Sequence, residues 1–201
     1  MTQSQEKLIK IVLLGSTGVG KASILQKYLD QEFKENYHYT TDIYFRTKFF
    51  KFDDTKIKVN YIFTEGQEKF RAISLNYLKG IDGAILVFDI TERNTFELMD
   101  SWLDDMRQNN KMNIGKVLIG NKSDLESERI VSKEEGEELA KLLECKYYET
   151  SAKTGQNINQ AMDEMAKITY SIWKNSENKN SITISSIDSE KPSLVVKKKG
   201  C

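Results

Sequence analysis

The chain has 201 residues, 39% of them hydrophobic, which is enough to bury one ordinary core and gives no sign of a second. Thirty Lys plus Arg balance thirty Asp plus Glu, so no net field favours nucleic acid or an acidic substrate, and charge acts only locally. Two cysteines, Cys145 and Cys201, build no disulfide framework and fit a reducing, cytosolic setting; the start (MTQSQEKLIK) has no signal-length apolar stretch, and no window approaches the roughly 18 apolar residues of a spanning helix.

Apolar, β-branched runs alternate with helical patterns from Leu8 to about Trp173, which is how an α/β sheet with helices on both faces reads. Strands are expected over Leu8 to Leu14, Ile43 to Phe52, Lys56 to Phe63, Gly83 to Asp89, Gly115 to Gly120 and Lys146 to Thr150. The turn Asp53-Asp54-Thr55 is too short for a crossover, so the second and third strands form an antiparallel edge hairpin on an otherwise parallel, six-stranded mixed sheet. Helices are expected at about 21–29, 68–79, 94–109, 133–144 and 157–173, with Thr91, Ser132 and Asn157 as caps. After Trp173 the chain turns to Asn, Ser, Lys and Glu and holds its only proline, Pro192. That composition predicts one folded domain over 7–174 and a flexible tail over 175–201.

The first strand runs directly into Gly15-Ser16-Thr17-Gly18-Val19-Gly20-Lys21-Ala22, a GxxxxGK loop at a strand-to-helix junction. Glycines let successive N–H groups turn inward around phosphate oxygens, the helix N-terminus adds partial positive charge, and Lys21 supplies a point charge. The loop should continue with Ser or Thr, whose hydroxyl meets a nucleotide-bound magnesium, but Ala22 stands there. Ser23 follows, and one step along a helix rotates a side chain about 100° away, which makes it a poor replacement.

Two further motifs close strands five and six: Asn121-Lys122-Ser123-Asp124 and Glu149-Thr150-Ser151-Ala152-Lys153. An Asp carboxylate accepts from both N1–H and the exocyclic amine of guanine, a donor pair that adenine lacks, so Asp124 selects the base. With the phosphate loop, these motifs make the chain resemble the Ras superfamily of small GTPases over about 165 residues, most nearly its Rab branch. The Rab likeness is carried by Asn76 to Thr91 (NYLKGIDGAILVFDIT), by Asn94-Thr95-Phe96-Glu97 running to Trp102-Leu103, and by Gly136 to Ala140.

The resemblance implies a P-loop NTPase G domain that binds GTP or GDP. Asn121 would tie loops together, the Lys122 stem would lie over the base, Ala152 would give its N–H to the guanine oxygen beside Ser151 and Lys153, and Phe33 would pack on the guanine. The stretch Phe33 to Phe45 resembles switch I, with Thr40 placed to sense magnesium and the γ-phosphate and an atypical Asp42 in the effector segment. Switch II, usually WDTAGQE, reads Ile62-Phe63-Thr64-Glu65-Gly66-Gln67-Glu68. Gly66 would meet the γ-phosphate and Gln67 would orient attacking water as the catalytic residue, while Phe63 replaces the Asp that holds magnesium through water. Thr40 is then the metal-sensing residue left, so magnesium binding is expected to be weakened and hydrolysis slow.

The chain ends Lys197-Lys198-Lys199-Gly200-Cys201, without a CaaX box. Rab-type prenylation of Cys201 beside the lysines implies reversible attachment to the cytosolic face of an endomembrane, with effectors, exchange factors and GAP proteins reading the switches. Two alternatives stand beside this vesicle-traffic switch: a non-catalytic pseudo-GTPase binding module with weak magnesium dependence, and another P-loop enzyme such as a nucleotide kinase, for which both guanine motifs would be coincidences.

Overall fold

The computed structural model describes residues 6–33, 44–63, 80–109 and 113–187. Six strands form one sheet: β1 (Glu6–Leu14), β2 (Tyr44–Phe52), β3 (Thr55–Phe63), β4 (Gly83–Asp89), β5 (Gly115–Asn121) and β6 (Lys146–Thr150), in the order β2-β3-β1-β4-β5-β6. All neighbouring pairs are parallel except β2 with β3. The expected edge hairpin is present, and its turn is two residues, since Phe52 pairs directly with Thr55 and Asp53 takes the left-handed φ of 50°.

Among the described residues five α-helices cover the sheet: α1 (Lys21–Asp30), α2 (Arg93–Glu97), α3 (Met99–Gln108), α4 (Lys133–Leu142) and α5 (Ile158–Ile187). Alternate side chains of the strands feed two cores. Ile9, Ile11 and Leu13 of β1 join Ile57, Val59, Tyr61 and Phe63 of β3 beneath α1 and α5; Val12, Leu14, Leu86, Phe88 and Leu118 lie beneath α3 and α4. Both faces are therefore apolar, which is why these strands read as continuous hydrophobic runs rather than alternating ones.

Three expectations about helices need correction. The segment 94–109 is not one helix but two, separated at Leu98. The Thr95 hydroxyl donates to Glu92 O at 2.8 Å and accepts from the Asp89 N–H at 3.0 Å, which pins the short α2 to the end of β4. By contrast α3 follows the core through Met99, Trp102, Leu103 and Met106.

Ser132 caps α4 as expected, in a capping box with Glu135. Thr91 does not cap: its hydroxyl donates to Asp89 Oδ1 at 2.7 Å, and Glu92 occupies the N-cap of α2 without a side-chain bond. Asn157 precedes α5 with φ of 56° and donates its amide to Glu149 O at 2.7 Å, bracing the loop after β6 rather than accepting from the helix.

The last helix runs through Ile187, well past residue 173, so the first part of the segment expected to be a flexible tail, 175–187, is helical. No Gly or Pro stands between Lys174 and Ile187 to stop it, and a helix already nucleated on the core propagates at little cost. Tail residues 188–201, with Lys197, Lys198, Lys199 and Cys201, lie outside the described residues, as do switch I residues Thr40 and Asp42, switch II residues Gly66 and Gln67, and the expected helix 68–79. No helix among the described residues is long and apolar enough to cross a membrane.

Candidate functional site

The parallel strands bring their carboxyl ends together on one edge. Register aligns Asp89 of β4 with Asn121 of β5, and Asn121 with Thr150 of β6, while β1 ends beside them in the phosphate loop. In open α/β sheets ligands bind at this edge, because the loops leaving adjacent strands splay apart there.

The phosphate loop is shaped by close backbone approach. At Gly15, with φ of 144°, an added Cβ would lie 2.1 Å from the Val87 carbonyl oxygen; at Gly20, with φ of 96°, it would lie 2.4 Å from Asn121 Nδ2. Any side chain there would push the loop off the sheet. Gly20 caps α1 without a side-chain bond, and the first turn carries no acidic residue, so the leading N–H groups of α1 have no side-chain acceptor and the helix dipole favours an anion. Lys21 is buried and donates to Gly15 O at 2.7 Å and Ser16 O at 2.8 Å, which folds the loop around its ammonium group. The Thr17 hydroxyl is buried without a hydrogen-bond partner within the chain, an acceptor-seeking group beside the place expected for phosphate.

Asn121 braces this loop. Its Nδ2 donates to Val19 O at 2.8 Å and its Oδ1 accepts from the Thr150 hydroxyl at 3.0 Å, all within a buried environment. Lys122, in the left-handed region with φ of 68°, sets its ammonium 2.5 Å from the buried carboxylate of Asp89. Asp124 is exposed and accepts from the Ser151 hydroxyl at 2.6 Å; Ser151 also accepts from the Thr154 N–H at 3.0 Å and so fixes its own loop. A carboxylate aimed in this way keeps its second oxygen for a ligand donor.

These pieces enclose one cavity of about 290 Å3, lined by Gly18, Gly20, Ser23, Phe33, Asn121, Lys122, Asp124, Leu125, Ala152 and Lys153. It unites residues from the phosphate loop and both guanine motifs, with the half-buried Phe33 closing one wall. Ser23 faces this cavity, on the base side of the site, in keeping with its rotation away from the expected metal position. Asp89, Thr150 and Leu125 were missed from sequence; their part depends on strand ends lying side by side, which only the register reveals.

A nucleotide fits this donor set, but a magnesium ion does not. Ala22 is half-buried, offers no oxygen and packs against the main core. Phe63 is 5% exposed and belongs to the same core, with its backbone paired to Leu13 and Tyr44. Neither position accepts from a metal or from metal-bound water.

The sequence model of the Ras family matches residues 10–171, most of the chain. The chain belongs to the Ras family. It is therefore a small GTP-binding switch protein, whose relatives bind GTP and GDP, generally with magnesium, and engage regulators and effectors.

Proposed function

We propose that this Ras-family protein is a Rab-type switch in membrane traffic with slow hydrolysis of its own. The observation that carries the nucleotide part is the single cavity shared by Gly20, Phe33, Asp124 and Ala152. The Rab part is supported by the segments Asn76 to Thr91 and Asn94-Thr95-Phe96-Glu97, and by Cys201 after Lys197, Lys198 and Lys199. One prenyl chain binds a membrane only marginally, and a few lysines, each worth about 1 kcal/mol near an anionic surface, would make attachment stable yet reversible. Fractionation of cells expressing the wild type and Cys201→Ser tests this: the wild type should sediment with endomembranes and the variant remain in the cytosol. Equal distribution overturns the lipid-anchored role.

A second reading rests on Ala22 and the buried ring of Phe63. With both oxygens gone, the protein acts as a binding module that holds guanine nucleotide without turning it over. Effectors would still read the switches, but return to the resting state would depend on exchange or on a partner that supplies the missing catalytic groups.

A further inference from the structure

We infer that the pocket selects guanosine diphosphate over the triphosphate and holds it without a metal ion. This rests on the guanine-nucleotide reading above and concerns which state of the nucleotide the site prefers. The groups for the base and the inner phosphates are in place: Asp124 oriented by Ser151 at 2.6 Å, Ala152 and Phe33 on the cavity wall, the uncapped first turn of α1, and Lys21 held at 2.7 Å over the loop.

What the third phosphate requires is different. In phosphoryl-transfer sites the metal bridges β and γ oxygens and neutralises the charge that the γ-phosphate adds. Here the two positions that would hold it are a methyl group and a phenyl ring, both packed against the main core. Among the described residues Lys21 is the one buried cation, and its ammonium already serves the loop carbonyls as well as any phosphate. A triphosphate therefore brings more negative charge to the same single ammonium, and charge taken out of water without a counter-charge is costly. The diphosphate leaves the γ position empty and avoids that cost. Loss of the metal penalises the γ-bearing nucleotide more, because the diphosphate keeps its helix N-terminus and lysine.

Phe63 makes this a fixed property. Its ring is built into the core between β1 and α1, so the end of β3 is anchored by packing that does not depend on what occupies the pocket.

The test is calorimetric titration of the full chain, freed of nucleotide, with GDP and with a non-hydrolysable GTP analogue, each in magnesium and in chelator. The expected result is GDP affinity that shifts less than about twofold between buffers and an analogue about tenfold weaker than GDP in both. Analogue binding equal to that of GDP, or strengthened about tenfold by magnesium, overturns the inference. Absence of GDP binding in both buffers overturns the guanine-nucleotide reading itself, a separate outcome. Restoring oxygens by Ala22→Ser with Phe63→Asp should create a magnesium response for the analogue. Because Phe63→Asp puts a carboxylate into the core, Ala22→Ser alone is the second variant: it leaves the core intact and should gain a smaller response in the same direction. No gain in a folded Ala22→Ser variant overturns the assignment of metal loss to that position.

Discussion

Asn121 donates its side-chain amide to the Val19 carbonyl at 2.8 Å, tying the end of β5 to the phosphate loop more than a hundred residues away in the chain. The same side chain accepts from Thr150 at 3.0 Å, so one buried amide holds three loops in register. Asn121→Ala leaves the buried Val19 carbonyl and Thr150 hydroxyl unpaired. The expected loss is about 2 to 4 kcal/mol, from about 1 to 3 per orphaned group with partial relief by water. At about 2 to 4 °C per kcal/mol for a domain of this size, thermal denaturation should show a clear fall, and GDP affinity should fall with it. An unchanged melting temperature would mean that the amide is not what holds the loop.

Asp124 differs in kind because it is exposed and its work is recognition. Asp124→Asn removes the charge and turns one acceptor into a donor that faces the guanine N–H groups. Hydrogen bonds to a charged group are worth about 1.5 to 3 kcal/mol, so GDP affinity should fall by about tenfold or more with little change in stability. Ser151→Ala leaves the carboxylate present but no longer held at 2.6 Å, and a smaller loss is expected. Competition between GDP and ADP for a fluorescent nucleotide measures both variants; retained guanine preference in Asp124→Asn would remove Asp124 from base selection.

The strands and the three binding motifs were legible because their chemistry restricts residue type. A sheet buried on both faces needs apolar runs such as Ile85 to Phe88, and a phosphate loop needs Gly15, Gly20 and Lys21 in fixed order. Helix ends were less legible. The break at Leu98 comes from Thr95 bonding to Asp89 and Glu92, a tertiary tether that leaves no Gly or Pro in the sequence, and α5 reaches Ile187 because nothing stops it. The pairing of Lys122 with Asp89 was invisible for another reason: the two residues meet only because β4 and β5 align them one position apart. Substitution of the metal-holding Asp by Phe63 could be read directly, but the burial of its ring in the core could not.

The capping box of α4 makes an acid-sensitive joint. The guanidinium of Arg93, 2.5 Å from Glu135, and then the Ser132 N–H at 2.9 Å hold the Glu135 carboxyl down, from its ordinary value near 4.5 to about 2. A depressed carboxyl stabilises the fold above its unfolded value, and that contribution drains away as pH falls from about 4.5 towards about 2. Glu135→Gln should be less stable than wild type at neutral pH, and the difference should shrink across this window. Denaturant midpoints at neutral pH and near pH 3 check it; a gap that stays constant would assign the effect to packing instead of charge.

Turnover is the sharpest consequence of Ala22 and Phe63. A positioned metal contributes several kcal/mol of charge stabilisation in the transition state, and each 1.36 kcal/mol is tenfold in rate. Losing about 3 to 5 kcal/mol would slow hydrolysis by roughly 10² to 10⁴ relative to a relative that retains both oxygens. Single-turnover hydrolysis of GTP by the purified chain should therefore be near silent with or without magnesium, while Ala22→Thr with Phe63→Asp should recover magnesium-dependent turnover. The double variant carries its own cost, since the new carboxylate takes the place of a ring that is 5% exposed, so its circular dichroism and melting curve must accompany the rates. Wild-type turnover that already depends on magnesium and matches the restored variant would show that other groups position the metal, and the slow-hydrolysis proposal would then fail while guanine binding through Asp124 would stand.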